Sequence, residues 1–288
     1  MNVLSLFDGM STGLTALKNI GIDVDVYYSS EIKKEAIEFS ESKYPEIVRL
    51  GDVNNWKNWD IDWSRIDLVL SGSPCQDLSI AGKRAGLNGS RSNLFFVFIH
   101  ILERIKQENP NVLFFQENVA SATKGDLRTI TKELNVQPLR INSSLLTAHL
   151  RDRYYWTNIG IKTDWLGENV CDISMPTDRK ILFKDIIESG ETGLQKSWTL
   201  TERYIAGASY KHHNSEEAQI YFKSRIKKAM FPHVIENNKI RTLTKTEMCR
   251  LQGFPDNWFD GFSDVTASSL LGDGWTLPVV EHFFKHIK

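Results

Sequence analysis

A cysteine that directly follows a proline is the most chemically suggestive residue of the chain. Cys75 lies in the segment 72–76, which reads Gly-Ser-Pro-Cys-Gln and follows the apolar run 66–71. That run predicts a buried strand, and open α/β sheets bind their ligands at the carboxyl ends of their strands. Pro74 restricts the local backbone, so the thiol has a defined direction. The segment alone fits a nucleophilic thiol or a buried structural cysteine, the commoner role of a free cysteine.

A carboxylate and two arginines have the chemistry to act with this thiol. Glu117 follows the apolar run 112–115, which predicts a strand near the one that leads to Cys75. A thiolate can add to a ring while a carboxylate in the same cavity neutralises charge that grows on a ring nitrogen. Arg151 and Arg153 are two positions apart on a predicted strand, so they face one side and can hold a carbonyl or phosphate. Surface ion pairs are the alternative for such residues.

Acidic residues also stand at two other predicted strand ends. Glu31 follows the strand 24–30 and is placed to bind ribose hydroxyls, while Asp52 follows the strand 47–50 and can receive an adenine amino group. The turn 7–13 carries glycines that allow a ligand to approach backbone amides, but without dinucleotide-type spacing. Together these features predict an adenosine-containing cofactor without phosphate contacts, which describes S-adenosyl-L-methionine. Solvated loop carboxylates are the alternative.

The elements that carry these residues alternate between strand and helix. The predicted strands are 3–7, 24–30, 47–50, 66–71 and 112–115, and the predicted helices are 14–20, 32–44, 94–105 and 126–134. A strand pair, 139–147 and 154–159, ends the series. This alternation predicts an α/β fold with a doubly wound, mostly parallel sheet.

The character of the sequence changes after about residue 158. Residues 159–240 are short polar segments without a strand–helix rhythm and predict a small second domain after a catalytic and cofactor-binding domain, 1–158. Residues 241–288 contain predicted helices at 246–253 and 277–287 and are expected to return to the first domain.

Composition limits the function classes only weakly. The 288 residues carry a net charge of -1, so the total gives no sign of nucleic-acid binding, although a basic face can coexist with a neutral total. Basic residues do cluster within 211–241, where a solvated helix face is the alternative.

The three cysteines fit neither a disulfide framework nor a metal site, which favours a reducing cytosol. We expect no signal peptide and no membrane segment, since no apolar run approaches about 20 residues.

Taken in order, these motifs resemble those of the DNA cytosine-C5 methyltransferases. They are Phe-Asp-Gly at 7–9, Glu31, Gly-Asp-Val at 51–53, the cysteine segment 72–76, Glu-Asn-Val at 117–119, the arginine segment 149–153, the segment 241–255, and Gly-Asp-Gly-Trp at 272–275. Segments 4–9, 77–80 and 153–156 look most like the animal de novo type, whereas the length is that of a stand-alone bacterial or phage enzyme. The resemblance implies the class I fold of S-adenosylmethionine-dependent methyltransferases.

The resemblance also implies a role for each residue of the catalytic set. Cys75 would attack C6 of a cytosine that is flipped out of double-stranded DNA, and C5 would then take the methyl group. Glu117 would contact N3 and the exocyclic amine, and Arg153 would contact O2 with Arg151 in support. S-adenosyl-L-homocysteine would be the product of the donor. A homo-oligomer and a cognate restriction endonuclease are the protein partners that remain open.

Two further sets of residues follow from the resemblance. The expected cofactor contacts are Phe7, Asp8, Gly9, Glu31, Ile32, Asp52, Val53, Pro74, Leu94, Asp273, Gly274 and Trp275. The expected DNA contacts are Gln76, Ser79, Lys83, Arg84, Arg91, Asn118, Lys223, Arg225, Lys227 and Lys228, with target recognition assigned to 159–240.

The chain departs from the family pattern at three positions. His149 replaces the usual glutamine, Asp273 replaces the more usual asparagine, and Ile32 replaces a common aromatic residue. We expect the changes at Asp273 and Ile32 to affect the affinity for the methyl donor more than catalysis.

Three rival functions remain. The transfer-RNA branch of the family typically carries a Cys-Phe-Thr signature, which does not occur between residues 158 and 241. A catalytically silent DNA-binding scaffold would have no reason to keep Cys75, Glu117, Arg151 and Arg153. A nucleotide-level enzyme of the thymidylate synthase kind also uses a Pro-Cys thiol, but it needs neither an adenosine pocket nor the region 159–240.

Overall fold

The computed structural model describes residues 1–73, 93–205, 215–228 and 231–288, without the side chains of 93, 217, 221 and 225–228. The strands are β1 Asn2–Leu6, β2 Val26–Ser30, β3 Val48–Arg49, β4 Leu68–Ser71, β5 Leu113–Val119, β6 Leu139–Asn142, β7 Asp152–Thr157, β8 Ile161–Thr163, β9 Asn169–Cys171, β10 Val234–Glu236 and β11 Lys239–Arg241. The helices are α1 Thr12–Asn19, α2 Lys34–Lys43, α3 Asn93–Glu108, α4 Lys124–Leu134, α5 Glu216–Lys228, α6 Lys245–Gln252, α7 Asp264–Asp273 and α8 Leu277–Phe284.

The chain forms two compact units. The first contains residues 1–141, 152–175 and 280–288, and the second contains 142–151 and 176–279. The second unit therefore holds 176–240, from the predicted recognition region, and also 241–279, which had been expected to return to the first domain. The functional division into catalytic and recognition domains stays a prediction.

A seven-stranded sheet organises the first unit. Its strand order is β3-β2-β1-β4-β5-β7-β6. The pairs β3–β2, β2–β1, β1–β4 and β4–β5 are parallel, and β7 runs antiparallel to β5. The predicted doubly wound, mostly parallel sheet is thus confirmed. The carboxyl ends of β1, β2, β4 and β5 share one edge, which is the edge that carries the predicted chemistry.

Apolar side chains cover both faces of this sheet. Consecutive β5 residues alternate between the faces: Phe114 belongs to the cluster that includes Phe98 and Leu102 of α3, and Phe115 packs edge-on against Phe283 and Phe284 of α8. Continuous burial on two faces explains why the central strands read as uninterrupted apolar runs rather than as alternating ones. The sheet is therefore a stiff platform for residues at its strand ends.

Two strand boundaries differ from the sequence prediction for identifiable reasons. β5 continues to Val119 because Glu117, Asn118 and Val119 all pair with β7, so Glu117 lies within the strand rather than after it. β6 stops at Asn142, whose side chain accepts the Ser144 N–H and begins a short 3₁₀ turn. Such a local side-chain bond competes with the sheet ladder.

The smaller elements lie outside the large sheet. β8 and β9 form an antiparallel hairpin in the first unit, and β10 and β11 form another in the second unit. In the second unit, α6 begins with a capping box in which Thr244 and Glu247 satisfy each other's backbone N–H groups. Among the described residues, no helix has the length and apolar character that a membrane span requires.

Candidate active site

The predicted nucleophile lies outside the described residues. The same holds for Pro74, Gln76, Ser79, Lys83, Arg84 and Arg91. The approach to Cys75 is described as far as Ser73, which is buried two positions before it. The Nε2 group of Gln116, on β5, donates to Ser73 Oγ at 3.2 Å and to the Glu117 carbonyl at 2.7 Å. Gln116 thus connects the cysteine segment to the strand that carries Glu117, a role that the sequence analysis did not identify.

Glu117 and Arg153 form an ion pair between β5 and β7. The pairing register sets Val119 opposite Arg153 and Glu117 opposite Tyr155, and the Arg153 Nε–Glu117 Oε1 distance is 2.7 Å. The Arg153 side chain is only 14% exposed, and the Glu117 side chain is only 12% exposed. Arg153 Nη1 also donates to the Asp152 carbonyl at 2.9 Å, which restrains the guanidinium. Within the described residues Arg153 Nε makes no aligned hydrogen bond, so charge rather than bond geometry holds the pair.

Asn118 occupies the opposite face of β5. The residue is 1% exposed, and its Oδ1 accepts the Val119 N–H at 2.7 Å. Its Nδ2 group has no hydrogen-bond partner among the described residues. The amide is therefore inside the first unit, and its assignment to DNA contact stays a prediction.

Asp8 stabilises the turn after β1. Its carboxylate accepts hydrogen bonds from the hydroxyls of Tyr27, Ser29 and Ser11 at 2.7, 2.8 and 2.5 Å. Burial and the nearby Asp8 charge raise the pKa of Tyr27 well above its usual value, so this phenol stays a donor. Phe7 has a φ of 57°, a strained conformation that these bonds help to maintain. The structure thus gives Asp8 a shaping role in the turn, while a direct contact with cofactor stays a prediction.

Glu31 is held by backbone groups at the end of β2. Its Oε2 accepts the Gly9 N–H at 2.7 Å, and its Oε1 accepts the N–H groups of Ile32 and Lys33 at 2.8 Å each. Each carboxylate oxygen can accept further bonds. Ile32 beside it is 72% exposed, one of the most exposed large apolar side chains among the described residues. A fixed acceptor next to an exposed apolar surface fits the ribose and base of an adenosine.

Asp52 and its neighbours lie at the same sheet edge. The Ser30 hydroxyl donates to the Gly51 carbonyl at 2.7 Å, which ties the end of β2 to the residue before Asp52. Asp52 Oδ1 accepts the Asn54 N–H at 2.9 Å and begins a 3₁₀ helix. Val53 is buried, and Leu94, in the first turn of α3, packs against the same apolar cluster. These positions are compatible with the predicted adenine contacts, which stay a prediction.

Arg151 differs from Arg153 in position and partners. It precedes β7 instead of sharing that strand, and it belongs to the second unit. Its Nη1 and Nη2 groups donate to the carbonyls of Leu200, Gly272, Asp273 and Gly274 at 3.0–3.4 Å. The guanidinium thereby organises the segment that contains Asp273, Gly274 and Trp275. The prediction that both arginines lie on one strand is therefore wrong, while the supporting role that the resemblance implies for Arg151 stays a prediction.

The predicted DNA contacts of the second unit lie on α5. The Lys223 side chain is exposed, whereas the side chains of Arg225, Lys227 and Lys228 lie outside the described atoms. Nearby, the buried carboxylate of Glu247 binds the Arg241 guanidinium with both oxygens at 2.8 and 2.9 Å. The Thr-x-x-Glu capping pattern of α6 marks Glu247 in the sequence, but it does not reveal the pairing with Arg241.

Comparison with known sequences identifies one family. The whole chain, residues 1–288, matches the family described as C-5 cytosine-specific DNA methylase. The Type II methyltransferase M.HpaII of Haemophilus parainfluenzae is 26% identical over 99% of this chain and 88% of its own length. The orphan methyltransferase M.SPRI of Bacillus phage SPR is 30% identical over 67% of this chain but only 44% of its own length.

Comparison with solved structures gives the same picture for the fold. The methyltransferase EhMeth of Entamoeba histolytica superposes with a TM-score of 0.67 at 15% identity, covering 100% of this chain and 99% of its own. A DNMT2 mutant of Spodoptera frugiperda gives 0.59 at 19% identity, with 99% and 98% covered. At such identities the likeness concerns the fold alone, which is that of class I S-adenosylmethionine-dependent methyltransferases.

Proposed function

The chain belongs to the C-5 cytosine-specific DNA methylase family, and we propose that it methylates C5 of a flipped cytosine in a short target site of double-stranded DNA through a covalent bond between Cys75 and C6. S-adenosyl-L-methionine is the methyl donor of this family and fold. The finer resemblance to the animal de novo type stays a prediction, and the curated relatives named above are bacterial and phage enzymes.

The observation that supports this proposal most strongly is the Glu117–Arg153 pair. N3 of cytosine is bonded to the carbon that carries O2, so a base in the site presents these two atoms side by side. An acid and a guanidinium 2.7 Å apart have the matching arrangement, with Glu117 toward N3 and Arg153 toward O2. Because both side chains are mostly buried, their charges act in a medium of low polarity, where they stabilise a developing charge more strongly than in water.

In the proposed reaction, the Cys75 thiolate adds to C6 and the π electrons of the C5–C6 bond move toward C5. C5 then takes the methyl group from the sulfonium of the donor, which leaves as S-adenosyl-L-homocysteine. Loss of the C5 proton through water re-forms the double bond and expels the thiolate. A free thiol is only a few per cent ionised at neutral pH, so the site must favour the thiolate. The base must leave the duplex to meet Cys75.

The first unit contains suitable residues for the donor. The Glu31 carboxylate, oriented by three backbone N–H groups, would accept the ribose hydroxyls. Ile32 would provide an apolar surface for adenine, and Asp52 would receive its amino group. The family resemblance adds backbone groups of Gly9, and it also assigns Asp273, Gly274 and Trp275 to the donor.

The test is base-resolution sequencing of cytosine modification in plasmid DNA from cells that express the wild type or Cys75→Ser. We expect modified cytosines in a fixed short context with the wild type and none with the variant, while both proteins bind S-adenosyl-L-homocysteine equally. Turnover by Cys75→Ser would refute the mechanism. A folded wild type that leaves DNA unmodified but methylates transfer RNA would refute the substrate.

A further inference from the structure

A buried polar cluster in the second unit centres on His149. The residue is 0% exposed, and its two ring nitrogens have different partners. The Leu200 N–H donates to Nε2 at 2.8 Å, and Nδ1 lies 3.3 Å from Oε1 of Gln252. Leu200, His149 and Gln252 are far apart in sequence, so only the tertiary fold brings them together.

The partners of Gln252 determine which nitrogen of His149 carries the proton. Gln252 Nε2 donates to the carbonyl of Leu271, so Oε1 is the side-chain oxygen that faces the imidazole. The Thr276 hydroxyl donates to the same Oε1 at 2.6 Å. An amide oxygen cannot donate, so His149 Nδ1 must donate to it, and Nε2 must accept from Leu200. His149 is therefore a neutral imidazole in a single tautomer.

These bonds connect two segments of the second unit. One segment, 197–200, lies beside 148–151, where the Ser197 N–H donates to the Ala148 carbonyl at 2.7 Å and the Leu150 N–H donates to the Ser197 carbonyl at 2.9 Å. The other segment, 271–276, is held by Gln252. Arg151 adds a parallel connection, since Nη1 contacts the carbonyls of both Leu200 and Gly272. The Leu200 peptide is thus bound at its N–H by His149 and at its carbonyl by Arg151.

We propose that His149 is a positioning residue for the methyl donor: through Gln252 it fixes the conformation of 271–276 against Leu200, and so orients Asp273, Gly274 and Trp275 before the donor binds. This inference rests on the proposed function, because the family resemblance assigns those three residues to the donor. In this role His149 acts through Gln252 rather than on the reacting atoms themselves. Without His149, the segment 271–276 would be less ordered in the free protein. The donor would then have to order this segment on binding, and that entropic cost would lower its affinity.

Replacement by glutamine or leucine separates this role from simple filling of space. In His149→Gln the amide oxygen can accept the Leu200 N–H while the amide nitrogen donates to Gln252 Oε1, as both partners require. Glutamine is also the residue that the family usually has here. In His149→Leu the volume is largely kept, but the buried Leu200 N–H loses its acceptor and Gln252 Oε1 loses one of its donors.

The experiment is titration calorimetry with S-adenosyl-L-homocysteine, together with steady-state kinetics on DNA. We expect His149→Leu to raise the Kd for this ligand, and the KM for the donor, by about tenfold, with a much smaller fall in kcat. His149→Gln should restore most of the affinity. Ser268→Ala is the matched control, because its buried hydroxyl on α7 has no hydrogen-bond partner among the described residues, and its Kd should stay within about twofold.

The possible results separate the positioning role from the function it rests on. A folded His149→Leu with wild-type Kd, or with a lower kcat and an unchanged donor KM, refutes the positioning role. A wild type that binds no S-adenosyl-L-homocysteine refutes the proposed function and this inference with it. If His149→Leu does not fold, His149→Asn carries the test, since its shorter amide can still reach Gln252 Oε1 but not the Leu200 N–H. Unchanged affinity in folded His149→Asn would then overturn the proposal.

Discussion

At the scale of single residues, three carboxylates of the first unit differ mainly in what they contact. Asp8 accepts three hydroxyls and shapes a turn. Glu31 accepts three backbone N–H groups and keeps its position at the edge of the sheet. Glu117 faces the Arg153 guanidinium in a mostly buried pair. The same functional group thus serves conformation at Asp8, proposed ligand binding at Glu31 and proposed catalysis at Glu117, because the partners of the three carboxylates differ.

The residue-scale prediction concerns the charge of Glu117. Glu117→Gln keeps the shape of the side chain but removes the negative charge and leaves Arg153 without its counter-ion. We expect the single-turnover rate of methyl transfer to fall by about 10²–10⁴-fold, the usual range for a positioned acid or base, with little change in binding of S-adenosyl-L-homocysteine. Single-turnover kinetics at saturating DNA measures this directly.

The control is an acid-to-amide change at Asp152, which precedes Arg153 on β7. Asp152 pairs with Arg140, whose side chain is 58% exposed, and surface pairs of this kind contribute little. Asp152→Asn should therefore leave the methyl-transfer rate within about threefold. A rate for Glu117→Gln equal to that of this control would contradict a catalytic role for Glu117.

At the scale of elements, strand and helix ends carry the side chains with assigned roles. β1, β2 and β5 present Asp8, Glu31 and Glu117 at one edge, because parallel strands end together. In the second unit, Thr244 caps the N-terminus of α6, and the buried Glu247 joins that helix terminus to β11 through Arg241. The side-chain hydrogen bond to Glu247 is the main cause that raises the pKa of Arg241 above its usual value, so the guanidinium stays charged.

The element-scale prediction is that α6 depends on this pair. Glu247 is 0% exposed and accepts from the Glu188 N–H, the Thr244 N–H and the guanidinium. Glu247→Gln removes one charge of a buried pair, a change that costs about 3–5 kcal/mol in comparable cases. We expect the free energy of unfolding to fall by an amount near the lower end of this range, because the glutamine amide keeps some of the hydrogen bonds. Urea unfolding measures the loss, and hydrogen exchange should locate it in the second unit.

An exposed ion pair between Arg250 of α6 and Asp256, which follows the helix, provides the comparison. Arg250 contacts Asp256 through both carboxylate oxygens, and the hydrogen bond from Arg250 is the main cause that lowers the pKa of Asp256. Since both side chains reach solvent, Asp256→Asn should cost less than about 1 kcal/mol. Equal losses for Glu247→Gln and Asp256→Asn would argue against a special role for the buried pair.

At the scale of the whole molecule, a net charge of -1 leaves DNA affinity to local basic surfaces. The segment 223–228 of α5 carries four basic residues, of which Lys223 has a described and exposed side chain. The proposed interaction with phosphates would release counterions, so the affinity should fall steeply with salt.

The prediction at this scale is that charge reversal on α5 weakens DNA binding in a salt-dependent manner. Substitution of Lys223, Arg225, Lys227 and Lys228 by glutamate should lower the affinity, and the slope of log K against log salt should decrease by about 0.9 for each phosphate that the variant no longer neutralises. Fluorescence anisotropy at several salt concentrations gives both quantities. Lys285→Glu, an exposed reversal after α8 in the first unit, is the matched control. An unchanged slope in the fourfold variant would reject α5 as a DNA-binding element.

The sequence by itself determined the order of the strands and helices in residues 1–158 and the residues at the strand ends. Apolar runs, turn glycines and capping residues act within a few positions of themselves, so the parallel sheet, the place of Glu31 and Asp52, and the motif order were all readable. Cys75 was also identified this way, although it lies outside the described residues.

Only the tertiary structure decided which polar groups meet. The register of β5 on β7 pairs Glu117 with Arg153, and the turn after β1 brings Asp8 to Tyr27. In the second unit, Arg151 binds backbone carbonyls, and His149 contacts Leu200 and Gln252. These partners are separated by many residues and leave no periodic trace in the sequence. A hydrogen bond depends on distances of a few tenths of an ångström, and long-range packing fixes those distances.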